Sequence, residues 1–358
     1  MNNILNFDAG PAALPQDVLA EASEAIKNYN NSGLSILEIS HRGAAFKAIL
    51  EEANALVRKL MRIGDDYEVM WMQGGGRLQF AMLPMNFLKS QQDKGGYVDS
   101  GHWASEALQH GSYYGNVLNV ASTKDSSYKS VPPVRNIPQD LSYLHVTTNN
   151  TIYGTQMRKF PVTEAPLVAD MSSDIFSRNL DFSQFSLIYA VAQKNLGSTG
   201  STLVVARKSF LEKAKNELPP LLSYKEMAAQ NSLVNTAPVF AIYTCLLTLR
   251  WIDKMGLQNL ELQNILKAQL LYDVLTESRI FKTVVQEESR SNMNVCFVCQ
   301  DESLTASFID FAKQHHIVGI KGHRSVGGFR VSLYNAISLE QVKILINVMK
   351  EFEEAHRK

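Results

Sequence analysis

The sequence predicts an α/β fold, in which a large domain with a mainly parallel sheet flanked by helices carries a smaller α+β domain at its C-terminal end. Three observations predict it. Apolar runs of strand length, with Leu187-Ile-Tyr-Ala-Val-Ala192 the clearest, are bounded by turn residues and alternate with stretches of helical apolar spacing, as expected of strands buried on both faces. Several runs end in glycine-rich or polar turns, and that edge is where open α/β sheets bind ligands. Finally, 358 residues exceed one ordinary core, so two domains are expected. Their boundaries are set at 16–256 for the large domain, and at 1–15 with 257–358 for the smaller domain and its N-terminal arm.

Composition excludes more than it identifies. Lys plus Arg and Asp plus Glu each total 35, so charge gives no reason to expect nucleic acid or an anionic membrane as partner. Three cysteines, Cys245, Cys296 and Cys299, are an odd number in a long chain and point to buried thiols in a reducing compartment. Cys296-Phe-Val-Cys299 lacks a second pair or a nearby histidine, so it is taken as strand core and no metal is expected. No basic and apolar leader opens the sequence and no apolar run approaches ~20 residues, which makes the cytoplasm the expected location.

In chain order, Asn6 to Pro15 is an extended arm, and Pro15 starts a helix with Val18, Ala22, Ala25 and Ile26 on one side. Ile36 to Gly43 is predicted as a short strand that delivers His41 and Arg42 into a loop. A helix with Phe46, Ile49, Leu50, Ala53, Val57 and Leu60 at helical spacing follows. On residues alone, His41 caps that helix and Arg42 pairs with a surface carboxylate. The strand Tyr67–Met72 runs into Gln73-Gly-Gly-Gly-Arg77 and an apolar helix from Leu78 onward. Strand, glycine turn and helix N-terminus make an anion site because free N–H groups and the helix dipole converge there, although a triple glycine also suits a plain loop. Gly96 to Ala104 is a strand leading into a helix, and Trp103 near its start is either core or a flat surface for stacking on a ring.

Two strand-like runs, Val117–Ala121 and Leu141–Thr147, flank a lysine- and serine-rich connection, and Thr151 then sits in a turn its hydroxyl can satisfy. Ala165 to Ser173 is a strand ending in Asp170, and the next strand, Leu187–Ala192, ends in Gln193-Lys194-Asn195. One strand and crossover separate the two, so both polar groups can reach the same sheet edge. A lysine there is either snorkelling from a strand end or desolvated, with a neutral amine able to form an imine with a carbonyl compound. A carboxylate beside it suits pyridoxal phosphate, whose pyridine nitrogen it can keep protonated; otherwise Asp170 caps a helix or turn. Gly197 and Gly200 turn the chain into a further strand, Thr202–Ala206. After Pro219-Pro220, the residues Asn235, Thr236 and Pro238 form a loop capping the helix Val239–Met255. The helix Leu257–Leu275 bridges to the second domain, and Ser338 with Gln341 forms a capping box before Val342, Leu345, Ile346, Met349 and Phe352.

Five motifs in order make a resemblance specific: Asn6-Phe-Asp-Ala-Gly-Pro-Ala-Ala-Leu-Pro15, Ser40-His-Arg-Gly43, Gly74-Gly-Gly-Arg-Leu-Gln-Phe80, Ala192-Gln-Lys-Asn-Leu-Gly197 and Lys321-Gly-His-Arg-Ser-Val-Gly-Gly-Phe-Arg330. Together they resemble the phosphoserine aminotransferases, a family of class V, fold type I pyridoxal-phosphate enzymes, over nearly the whole chain. The resemblance implies that Lys194 holds pyridoxal 5′-phosphate as a Schiff base and exchanges the substrate Cα proton, while Asp170 faces the ring nitrogen. It implies that Gly76 and Arg77 take the cofactor phosphate, that Trp103 stacks on the ring, that Thr151 donates to the phenolic oxygen, and that Gln193 joins the cofactor set. Asn235 and Thr236 are implied to reach the cofactor phosphate of a second subunit, which makes the enzyme a homodimer.

For substrate, Arg330 resembles the α-carboxylate anchor, and His41, Arg42, Arg77, His323 and Arg324 gather at the phosphate, drawn from both subunits. The implied reaction moves an amino group between L-glutamate and 3-phosphohydroxypyruvate in serine biosynthesis, and 4-phosphohydroxythreonine is a further substrate of some members. Rival readings are a serine–glyoxylate aminotransferase, a cysteine desulfurase, or a non-catalytic phosphate- or nucleotide-binding protein built around Gly74 to Arg77. Paired basic residues at 41–42 and 323–324 favour a doubly anionic substrate over the first, and no cysteine on a predicted catalytic loop speaks against the second. The chain departs from the family in a shortened 120–150 region, in Ser198-Thr199 where a proline is common, and in Ala9 where some members carry serine.

Overall fold

In the computed structural model, which describes residues 4–356, a seven-stranded sheet organises the larger part of the chain. Its strands lie in the order Tyr67–Met72, Thr202–Arg207, Leu187–Val191, Leu167–Asp170, Leu141–Thr147, Lys94–Asp99, Asn116–Ser122. Thr202–Arg207 runs antiparallel to both neighbours, and every other pairing is parallel. The predicted mainly parallel sheet is therefore present. Leu167–Asp170 and Leu187–Val191 are buried throughout, as a sheet covered on both faces requires.

Helices cover both faces. On one side Ala44–Met61 and Val239–Met255 pack through Phe46, Ile49, Ala53, Val57, Ile242, Leu246 and Leu249 against Ile188, Ala190, Leu203 and Val205. On the other, Gly75–Phe87 lays Phe80, Leu83 and Phe87 over Tyr189, Val168 and Val204. Alternate residues of one strand thus feed two cores.

A separate core gathers Phe7 with residues from Ala268 to Phe352. There a three-stranded antiparallel sheet, Phe281–Thr283, Asn294–Cys299 and Phe329–Ser332, is packed by the helices Leu257–Glu277, Leu304–Gln314 and Leu339–Ala355. Aromatic packing is dense, with the Phe281 and Phe308 ring centroids 4.7 Å apart. Cys299 belongs to this core, and Cys296 points the other way, against the carbonyl of Ile152. The capping box of Ser338 and Gln341 forms as expected. No helix among the described residues is long and apolar enough to cross a membrane.

Three expectations need correction. Ile36 to Gly43 is no strand: Ile36–Glu38 is a single 3₁₀ turn, because Ser35 and Glu38 close a capping box that favours helical over extended backbone. Ala192 opens a one-turn helix, Ala192–Asn195, so the lysine strand ends one residue early, at Val191. Ile26 is not on the packed side of its helix but 40% exposed.

The N-terminal arm is pinned by parallel pairing of Leu5–Asn6 with Ile317–Val318. Gly319 follows at φ 78, where an L side chain is strained, and a Cβ there would overlap the Asp8 amide. Gly319→Ala is expected to displace the arm and cost roughly 1–3 kcal/mol. Thermal unfolding checks this, and a midpoint equal to that of the native protein would show that the arm yields without cost.

Candidate active site

The parallel register pairs Asp170 with Tyr189, and Lys194 lies three residues beyond the end of the same neighbouring strand. Both side chains therefore arrive at one carboxyl edge of the sheet and line a single cavity of about 370 Å³. Gly74, Gly75, Gly76 and Arg77 close one end, Trp103 and Thr151 form a side wall, and His323 and Arg330 come from the smaller layer. Ala9 and Gly10 of the arm complete it.

Each wall has a local cause. After Val191 the backbone closes a tight turn, in which Leu196 and Gly197 donate to the Ala192 carbonyl and Ala192 donates to Ser201. The turn projects Lys194 over the strand end. The arm lies against it: Ala12 donates to the Gln193 carbonyl at 2.9 Å, and a Cβ on Gly10 would stand 3.3 Å from Lys194 Cγ. Asp170 is 6% exposed and its Oδ1 accepts from the Ser172 amide at 2.9 Å. Trp103, in the first turn of His102–Ser112, is oriented by its indole N–H donating to Thr151 Oγ1 at 3.3 Å. Lys194 Nζ stands 5.9 Å from the centroid of that indole.

Burial shifts both ionisable groups toward their neutral forms. It pushes the Lys194 amine down, the neighbouring Asp170 charge opposes that, and Arg330 adds to it. Burial likewise pushes Asp170 up, with Lys194 opposing. A lysine so placed yields a free amine more readily than one in water, as imine formation needs.

Two cations on the wall differ in their partners. Arg77 is ion-paired with Glu106 at 2.7 Å on the facing helix, and its side chain is 64% exposed. Arg330 Nε is buried and has no hydrogen-bond partner among the described residues, so an anion entering the cavity would meet a donor not already committed to protein. His323 Nδ1 is held by Ser325 Oγ at 2.7 Å, and burial with Arg330, His102 and Arg324 nearby lowers its pKa.

Of the residues singled out from the sequence, Gly76, Arg77, Trp103, Thr151, Asp170, Gln193, Lys194, His323 and Arg330 meet in this cavity. His41, Arg42, Asn235, Thr236 and Arg324 do not line it. Arg324 is exposed on the turn after His323. His41 and Thr236 instead border a second, shallow hollow of about 440 Å³ with Leu37, Thr199 and Phe240, and Arg42 donates to the His41 ring at 3.2 Å. Asn235 donates to Gln73 Oε1 at 3.0 Å, and Gln73 donates to the Thr236 carbonyl at 3.0 Å, so this loop abuts the glycine turn from outside.

Sequence reasoning missed Ser172, Phe80 and Glu106. Phe80 lies one turn after Arg77 on the same helix, and Ser172 two residues after Asp170, so spacing offered a signal for both. Glu106 meets Arg77 only through the packing of two helices.

The family model of the class-V aminotransferases matches residues 4–345. A phosphoserine aminotransferase of Shouchella clausii is 47% identical over 99% of this chain and 98% of its own. One of Flavobacterium psychrophilum is 46% identical over 97% and 98%. The chain belongs to the phosphoserine aminotransferase family. A solved phosphoserine aminotransferase from Bacillus circulans subsp. alkalophilus superposes with a TM-score of 0.97 at 40% identity, covering 100% of both chains. The pyridoxal-phosphate-bound phosphoserine aminotransferase of Trichomonas vaginalis gives 0.92 at 33% identity, covering 97% of this chain and 100% of that one. An alanine–glyoxylate aminotransferase from Nostoc, at 16% identity and a TM-score of 0.75, shares the fold.

Lys194→Ala is expected to leave cofactor bound without a covalent bond and to abolish amino transfer. Borohydride reduction of the native protein should label the peptide containing Lys194; label on another lysine contradicts the assignment. Asp170→Asn should lower turnover by at least ~100-fold, since an amide cannot hold the pyridinium proton. Near-normal turnover in that variant would make Asp170 structural.

Proposed function

We propose that the protein is a homodimeric phosphoserine aminotransferase that moves an amino group between L-glutamate and 3-phosphohydroxypyruvate, giving 2-oxoglutarate and O-phospho-L-serine. The observation that carries this reading is the convergence of Lys194, Asp170, Trp103 and Arg330 on one cavity. The cavity fits pyridoxal 5′-phosphate: it offers a flat indole wall, a buried carboxylate, and a glycine turn where a Cβ on Gly75 would meet nothing within 4 Å. When bound, the cofactor supplies an electron sink for negative charge at the substrate Cα.

The chain's own groups do the rest. With the cofactor bound, Lys194 would hold it through its neutral amine and would take and return the substrate Cα proton. Asp170 would hold a proton at the cofactor's ring nitrogen. Trp103, oriented by Thr151, would pack against the cofactor ring, and the Gly76 and Arg77 end would receive its phosphate with Gln193 beside Lys194. Arg330 takes the α-carboxylate in two parallel bonds. His323 and Arg77 meet the distal phosphate or carboxylate. No cysteine lines the cavity, which speaks against desulfurase chemistry.

The homodimer is supported by His41, Arg42, Asn235, Thr236 and Arg324, polar residues that do not line this chain's own cavity although the family resemblance places them at an active site. We assign them to the site of a second copy, with exposed Leu34 and Leu37 on the joining surface. We further propose the division 16–256 against 1–15 with 257–358, supported by the separate cores.

Two outcomes test this. Lys194→Ala chains mixed with Asn235→Ala/Thr236→Ala chains should regain activity, because each heterodimer restores one intact site; heterodimers without activity would mean that each site is built from one chain. Arg42→Ala or Arg324→Ala should lower kcat/KM for phosphoserine about tenfold to a hundredfold with little effect on an uncharged amino acid, whereas Arg330→Ala should damage both alike. Equal losses in the Arg324 variant would displace the phosphate pocket.

A further inference from the structure

Lys267 lies on the buried side of Leu257–Glu277 and is only 1% exposed. Its ammonium donates to three backbone carbonyls: Leu333 at 3.0 Å, Tyr334 at 3.0 Å and Ile337 at 2.8 Å. Three donors thus meet three acceptors. One turn earlier on the same helix, Asn264 donates to Asn335 Oδ1 at 2.8 Å and to the Ser177 carbonyl at 2.9 Å. The 333–337 segment, between the strand bearing Arg330 and the C-terminal helix, is therefore gripped from behind by one helix face.

From its front the same segment holds the catalytic edge. The Asn335 amide donates to Asn195 Oδ1 at 2.9 Å, and Asn195 is the residue after Lys194. Asn195 donates in turn to the Ile175 carbonyl at 2.6 Å, and Asn335 Nδ2 donates to Phe176 at 2.9 Å, both in the turn that follows Asp170. Tyr334 O–H donates to the carbonyl of Ala9 at 2.8 Å on the cavity wall. One buried turn thus touches the supports of Lys194, Asp170 and the arm.

Packing alone does not explain a lysine here. A methionine would fill a similar volume without burying a charge. Burial pulls the Lys267 pKa down to about 7, whereas three carbonyl acceptors favour the charged form. The residue type fits the carbonyls: only an ammonium supplies three donors from one atom.

We infer that Lys267 is a positioning residue for Lys194: its three bonds shape the 333–337 turn, and the Asn335 amide then fixes Asn195 and, through the one-turn helix 192–195, the direction of the reactive amine. The inference rests on Lys194 being the amine that binds the cofactor, and it adds a route by which the smaller layer controls that amine.

The test is the rate at which full-length protein freed of cofactor forms an imine with added pyridoxal 5′-phosphate, followed by absorbance and trapped with borohydride. Lys267→Met, which keeps the chain length without donors, should slow imine formation on the order of tenfold, since small displacements of a reacting group carry costs of this size. Lys267→Gln, with one amide for three bonds, should fall between. Asn195→Ala should slow the reaction similarly, and Lys267→Met combined with Asn195→Ala should be no slower than the worse single variant, because both act on one path. Asn335→Ala serves if Lys267→Met does not fold: it keeps the backbone amide but loses the bonds to Phe176 and Asn264, and it should also slow the reaction.

Unfolding midpoints are measured alongside. A lower midpoint with native rates of imine formation in the Lys267 and Asn335 variants would overturn the inference, as would independent, multiplying effects of the Lys267 and Asn195 changes. Trapped label away from Lys194 in the native protein would instead remove the reading on which the inference stands.

Discussion

The structure turns on keeping an amine and a carboxylate out of water at the ends of two adjacent parallel strands. Asp170 and Lys194 are both driven toward neutrality by burial and each opposes the other's shift. A solvated pair at the same spacing would be a surface ion pair of little consequence. The walls of the cavity maintain this condition: the arm lies against Lys194, Trp103 covers one side, and Ser172 gives Asp170 its backbone donor.

That constraint explains why the smaller layer is tied so closely to the larger one. Apolar contact alone would allow the two to slide. The junction is instead a set of directional bonds, with Asn149 donating to Asn294 at 2.8 Å, Ser291 donating to Asn149 at 2.5 Å and Asn264 donating to the Ser177 carbonyl at 2.9 Å. Buried polar groups that are satisfied only in one arrangement fix that arrangement. Arg330 thereby stands opposite Lys194, although its strand belongs to another sheet.

Much of this was legible in the sequence where local rules apply. The strand ending at Asp170, the lysine strand and the glycine turn at Gly74 to Arg77 each carry their own signal in apolar run, turn residues and position, and all three converge as expected. Ile36 to Gly43 was expected to be a strand, while a serine and a glutamate three apart decided for a turn. The contacts of Glu106 with Arg77 and of Lys267 with the 333–337 carbonyls had no local signal. Each joins elements far apart in the chain, and a buried lysine reads as a surface one until its helix is docked. The residues at 41–42 and 235–236 were singled out by family resemblance alone, and they do not line this chain's own cavity.

The central claim is that one amine and one α-carboxylate anchor serve two donors that differ at their far ends. A single-turnover measurement addresses it directly: cofactor-loaded protein is mixed separately with L-glutamate and with O-phospho-L-serine, without any keto acid. The account predicts that each donor alone bleaches the yellow cofactor band and releases one equivalent of its keto acid per chain, with alanine far slower. Bleaching by only one of the two donors, or equal rates with alanine, would contradict it.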